Sequence, residues 1–180
     1  MAKTLSELRE LIDATDKELL ALLNRRAGYA NEVGEIKRID GSPVFRPERE
    51  AQVIHGLQTA NPGPLKKASV AYIWREIMSA CRSLEAPQRV AYLGPAGTFS
   101  EMAALQFFGT SIEHVPCASF DEIFHAATAG SADFGVVPVE NSTEGVVTRT
   151  LDLFLNTPLH VVGEISFLVR HHLLRLSDSL

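Results

Sequence analysis

Residues 4–38 read TLSELRELIDATDKELLALLNRRAGYANEVGEIKR, and this stretch decides the architecture. Counting from Leu5, an a/d heptad falls on Leu5, Leu8, Ile12, Thr15, Leu19, Leu22, Arg26, Tyr29, Val33 and Ile36. One long amphipathic helix with an apolar seam follows, and such a seam requires a partner helix. Thr4 with Glu7 three residues on has the spacing of a capping box and marks the start. Arg26 breaks the seam. A guanidinium at a core position without a counter-ion is costly, so an anion is expected beside it.

Lys37 lies eleven residues beyond Arg26, about 20° around the helix and ~16 Å along it. Two long cations at that separation can grip the ends of a small dianion. Arg9, seventeen residues the other way, is ~25 Å off and cannot reach the same small molecule from the same helix. If Arg9 serves such a site, it is the site of an antiparallel partner chain. The plainer reading makes Arg9 and Lys37 solvated flank residues; Arg26 favours the site.

Bulk properties set the frame. With 180 residues, 46% hydrophobic and 22% charged, the chain can form two small globular domains. Residues 1–88 carry 13 Lys and Arg against 12 Asp and Glu, whereas 89–180 carry 4 against 10. The interleaved first half is no nucleic-acid stripe, and the acidic second half repels nucleic acid. Cys81 and Cys117 make neither a disulfide framework nor a metal pattern, which suits reduced thiols in the cytoplasm. No apolar run reaches the ~18 residues of a membrane span, and no signal sequence is apparent. No cofactor, metal or membrane partner is expected.

After the turn at Asp40–Gly41, Pro47 opens a second helix over 47–60, and NPGP at 61–64 ends it. A third helix spans about 65–85, with Val70, Ile73, Trp74, Ile77 and Cys81 at helical spacing. Three helices with so long a first member favour two clasped chains over a compact monomer. APQR at 86–89 reads as a linker, and the pattern then changes. VAYL (90–93) is a buried strand, followed by GPAGTFS and a helix EMAALQFF. A strand HVPC, a helix SFDEIFHAAT, a second buried strand FGVVPVEN, a helix GVVTRTLDLFL and a long strand LHVVGEISFLV follow. Alternating strands and helices predict an α/β lobe with a mostly parallel sheet. The domains are therefore 1–88, all-α, and 89–180, α/β.

Several side chains have two readings. Arg46 and Arg49 either bind an anion or form a solvated helix start, with Glu50 favouring the dipole. Cys81 is a small core residue, while Glu85 sits poorly against a helix C-terminus and hints at another role. GPAGTFS fits neither nucleotide fingerprint, but its amides can receive a carboxylate. VENST at 139–143 lies past a strand end, where α/β lobes place ligand groups. His171 and His172 read as surface residues at the end of the last strand.

LRELIDATDKELLALLNRRAGYANEVGEIK, FRPEREAQV and WREIMSAC together resemble the all-helical chorismate mutase domain. VAYLGPAGTFSEMAA and FGVVPVENSTEGVV resemble the start of a prephenate dehydratase domain, whose lobes are periplasmic-binding-protein-like. In this order they resemble the bifunctional chorismate mutase–prephenate dehydratase family of bacterial phenylalanine biosynthesis, over essentially all 180 residues. The resemblance implies an intertwined homodimer and a mutase needing no cofactor. It implies that Arg26, and Arg9 of the other subunit, hold the two carboxylates of chorismate, and that Lys37 meets the ether oxygen. Arg49 is implied as a further basic group, Glu50 as the acid receiving the ring hydroxyl, and Glu85 as the second group at the ether oxygen. Many members have glutamine at Glu85 and serine at Cys81, and some have aspartate at Arg46.

The reaction this implies is a [3,3] rearrangement of chorismate to prephenate. It calls for a fixed dianion and stabilised charge on the ether oxygen. Glu85 can assist there only as a neutral acid, since a carboxylate would repel the developing charge; acidic pH should favour it. Glu140, Asn141 and Ser142 match the family's VENS segment and line half of a dehydratase cleft. The family's Thr-Arg-Phe motif is absent, and the lobe is expected to expose apolar surface and sheet edge. The 180-residue chain is therefore expected to lack dehydratase activity and phenylalanine feedback. Rival readings are an isochorismate–pyruvate lyase of the same helical fold and a non-catalytic dimerisation or small-anion-binding module.

Overall fold

The computed structural model describes residues 3–143, 145–170 and 173. Helix α1 spans Leu5–Asp40 and starts from the expected capping box: Glu7 N–H donates to Thr4 Oγ1, and Thr4 N–H donates to Glu7 Oε2 at 2.7 Å. It stops at Gly41, whose φ of +73° closes the left-handed turn. Helix α2 (Pro47–Ala60) opens on its proline, and α3 (Lys67–Glu85) follows. Helix α3 packs against both α1 and α2.

The face that α1 turns to α3 is not the heptad seam. Leu23, Ala27, Ala30, Gly34 and Lys37 lose exposure along the C-terminal half, and Gly34 is buried. A Cβ built on Gly34 would stand 2.9 Å from Glu85 Cγ, so the missing side chain admits the close approach of the two helices. The seam itself lies open: Leu5, Leu8, Ile12, Leu19, Leu22, Tyr29, Val33 and Ile36 are all exposed. Length explains the difference. A 36-residue helix is ~54 Å long and a 19-residue helix ~28 Å, so α3 covers one stripe of about half of α1.

The second region is an α/β lobe. Strand β1 (Gln88–Leu93) is central, with β2 (Ile112–Cys117) and β3 (Phe134–Val136) parallel on its two sides. Gln88 and Arg89 belong to this strand, leaving Ala86–Pro87 between α3 and β1. A central parallel strand is covered on both faces, and Val90, Ala91 and Tyr92 are buried accordingly. Val90 and Tyr92 join Ala104 and Phe108 of α4 (Phe99–Phe108) in one core. Ala91 joins Cys117, Ala132, and Ile123 and Ala126 of α5 (Phe120–Thr128) in the other. Phe45, from the loop before α2, enters the first core with ring centroids 5.1 Å from Phe108 and 5.4 Å from Phe134. The helical region and the lobe thus share apolar packing.

Two expected strands are corrected. FGVVPVEN forms β3 only as far as Val136, and Pro138, which has no N–H to give a ladder, lies just beyond. Glu140–Asn141 (β4) then pairs antiparallel with Gly145–Val146 (β5) in a small hairpin, and α6 spans Thr148–Phe154. The long strand read over 159–169 is absent. That segment has apolar alternation, but a strand exists only by pairing, and none among the described residues pairs with it. His171 and His172 lie outside the described residues.

Candidate active site

The C-terminal half of α1 and the end of α3 bring four of the expected residues together in two pairs. Lys37 Nζ donates to Glu85 Oε2 at 3.2 Å and to the Val44 carbonyl at 2.9 Å. Both side chains are well covered, Lys37 at 18% and Glu85 at 9% exposure. At that depth the pair is screened far less than an exposed one. One turn towards the N-terminus of α3, Cys81 is buried, and Arg26 Nη1 donates to its Sγ at 2.9 Å. Arg26 is half-buried, and no carboxylate pairs with it among the described residues. The local reasons are simple: helical periodicity places Arg26 and Lys37 on neighbouring lines of α1, and Gly34 between them lets α3 approach.

Other expected residues sit elsewhere. Arg9 is exposed on the N-terminal half of α1, and Arg49 is exposed in the first turn of α2. Arg46 forms an exposed pair with Glu48 at 3.0 Å. Glu50 turns to Arg82, whose Nη1 donates to Glu50 Oε1. Glu140, Asn141 and Ser142 lie exposed on the β4–β5 hairpin. The GPAGTFS turn fills its own amide: Gly97 N–H donates to Glu101 Oε2, so a carboxylate of the chain takes the place considered for a ligand. Glu101 also accepts from the buried Tyr92 hydroxyl at 3.0 Å and lies 3.2 Å from His114 Nδ1. Burial first, then the Glu101 hydrogen bond, pushes the Tyr92 phenol up to about 12.

Arg82 was not singled out from the sequence. It reads as a flank residue next to Cys81, yet it is 4% exposed. The available signal was its four-residue spacing from Met78, which is also buried.

Comparison with known proteins adds to this geometry. Residues 8–86 match the family model of chorismate mutase type II, and residues 90–180 match that of prephenate dehydratase. The bifunctional chorismate mutase/prephenate dehydratase of Stutzerimonas stutzeri is 47% identical over 96% of this chain and 49% of its own length. That of Pseudomonas aeruginosa is 49% identical over 94% of this chain and 48% of its own. The chain belongs to the bifunctional chorismate mutase–prephenate dehydratase family. It spans about half the length of these relatives. A chorismate mutase structure from Thermus thermophilus aligns with 46% of this chain and 94% of its own, at 30% identity and a TM-score of 0.45. Among the described residues no helix is long and apolar enough to cross a membrane, and no group of three His, Cys, Asp or Glu is placed to hold a metal.

Proposed function

We propose that the helical region, α1 to α3, converts chorismate to prephenate in a pocket shared by two copies of the chain, as a step of cytoplasmic phenylalanine biosynthesis. The observation that carries this reading is the half-buried Arg26, partnered by a thiol rather than a carboxylate. Such a guanidinium favours an anionic guest. The exposed seam of α1 supports the dimer, because Leu19, Leu22, Tyr29 and Val33 have nothing of their own chain to cover them. An antiparallel second copy would cover that seam and carry its Arg9 towards the pocket.

The reaction needs no nucleophile and no proton transfer, so the residues act by position and charge. Arg26 and the partner's Arg9 would hold the two carboxylates and keep the flexible dianion compact. Lys37 uses two of its three N–H groups on Val44 and Glu85, leaving one for the ether oxygen on which charge grows. Glu85, beside it, is assigned as the second group at the ether oxygen. Arg49 and Glu50 are assigned the pocket rim, with Glu50 receiving the ring hydroxyl and Cys81 packing beneath. Glu140, Asn141 and Ser142 of the lobe, residues 89–180, are assigned to one wall of a dehydratase cleft.

A chorismate-disappearance assay with product identification tests the reading. Wild type should form prephenate, and Lys37→Ala should lower kcat by about 10²–10³, the usual effect of losing one donor to a developing anion. Salicylate with pyruvate as products would assign a lyase instead, and equal turnover by both proteins would remove Lys37 from the site.

A further inference from the structure

Arg82 is the most completely enclosed charge among the described residues, with a side chain 5% exposed. Three of its nitrogens reach three different elements. Nη1 donates to Glu50 Oε1 of α2, Nε to Gln88 Oε1 of β1 at 2.6 Å, and Nη2 to the carbonyl of Phe108 at the end of α4. Its guanidinium carbon stands 4.7 Å from the centre of the Phe45 ring. A buried guanidinium is retained at a desolvation cost that only well-formed partners offset, and here its planar fork is met on three sides.

We infer that Arg82 is a positioning residue for the mutase pocket: it fixes the Glu50 carboxylate and ties that carboxylate to the α/β lobe. This rests on the reading of Glu50 as the acid that receives the substrate hydroxyl. The arrangement suits that task. Oε1 of Glu50 is taken by Arg82, while Oε2 has no protein partner among the described residues and can accept a hydrogen bond from a guest. Two of the three partners of Arg82, Gln88 and Phe108, belong to the lobe. The shared core at Phe45 holds lobe and helices in the register that this fork requires. The lobe is thus a structural part of the mutase pocket, and a change inside the lobe should be felt as a change in chorismate binding.

The experiment is a double-mutant cycle on the full chain, reading kcat and KM for chorismate. Arg82→Lys retains the charge but cannot meet three partners, and Gln88→Leu removes only the Nε partner, so both avoid leaving an unpaired buried carboxylate. Arg82→Lys should raise KM about ten-fold, the usual effect of loosening a charge-assisted hydrogen bond, and Gln88→Leu about three-fold. The effect on kcat should be smaller than that on KM. In a Glu50→Gln background both increments should vanish, because the group being positioned has lost its charge. Equal increments in both backgrounds, or unchanged KM in both Arg82→Lys and Gln88→Leu, would overturn the inference. If Glu50→Gln alone leaves KM and kcat at wild-type values, the assignment of Glu50 to the pocket fails instead. Thermal melts of each variant separate a KM effect from loss of fold.

Discussion

The two regions of the chain are stabilised in opposite ways. The lobe closes two apolar clusters around a single buried strand, with Val90 and Ala91 fully inside and Tyr92 nearly so. The longest helix does the reverse. Along α1 only Gly34 is buried, while a row of leucines, isoleucines, valine and tyrosine faces outward. The lobe has a buried core of its own and still leaves Phe99, Met102, Val139, Val146, Leu151 and Leu155 exposed, as expected from the sequence. A helix that displays its apolar residues in heptad order presents a surface suited to a partner helix. The contrast is what motivates the proposed second copy: within one chain the seam of α1 has no cover, whereas the strand at the centre of the lobe has one on each face.

The contrast can be broken most severely at the exposed seam. Leu19→Lys with Leu22→Lys should convert a dimer to a monomer in sedimentation and abolish chorismate turnover, because like charges replace the apolar surface that a second copy needs. The lobe's own core should survive, as read by amide exchange at Val90–Tyr92. A dimer retained by this variant would mean that the seam is covered in some other way.

Arg26→Leu tests the same surface from inside. It should lose most activity, by ~10²-fold or more, through the missing partner for a substrate carboxylate. Folding stability should be unchanged or raised, because a buried charge gives way to an apolar side chain. A strut or small-anion module without catalysis would tolerate the change in every assay but anion binding.

Glu85→Ala and Glu85→Gln test the second group at the ether oxygen, with a smaller effect. Glu85→Ala should lower kcat about ten-fold, the usual effect of losing one hydrogen bond, while the amide of Glu85→Gln can still donate and should retain most of the turnover. Wild-type kcat in both variants would remove Glu85 from the reaction.

The mildest prediction concerns the lobe alone. The Gly97 N–H, and after it the Tyr92 hydroxyl, hold the Glu101 carboxyl below its ordinary 4.5. The unfolded chain then binds that proton more tightly than the folded one. The stabilisation is present above the ordinary carboxylate range and fades as pH falls through the depressed value. The difference in melting temperature between wild type and Glu101→Gln should therefore shrink from about pH 7 to about pH 3. A constant difference would mean that Glu101 stabilises by shape rather than charge.

What could be read from the residues follows how local the cause is. Thr4 with Glu7, and Pro47, each act within one turn, and both mark the observed helix starts. The parallel sheet was legible because βαβ order constrains it. The 159–169 segment was misread because alternation signals the capacity to pair and says nothing of a partner. Lys37 and Glu85 were legible as chemically odd residues on their helices, but their 3.2 Å approach depends on how α1 meets α3. Arg82 escaped because its burial comes from the docking of Phe108 and Gln88, which lie outside the helix that carries it. The heptad stripe was legible as a pattern, and its exposure in one chain follows from how far α1 outruns α3.

Gly34 has a wider consequence. With Glu85 already as close as the helices allow, a methyl group there would wedge them apart at the level of the ammonium and the carboxyl. The spacing of the Lys37 ammonium from the Glu85 carboxylate is thus set by a residue that contributes no side chain, three positions away.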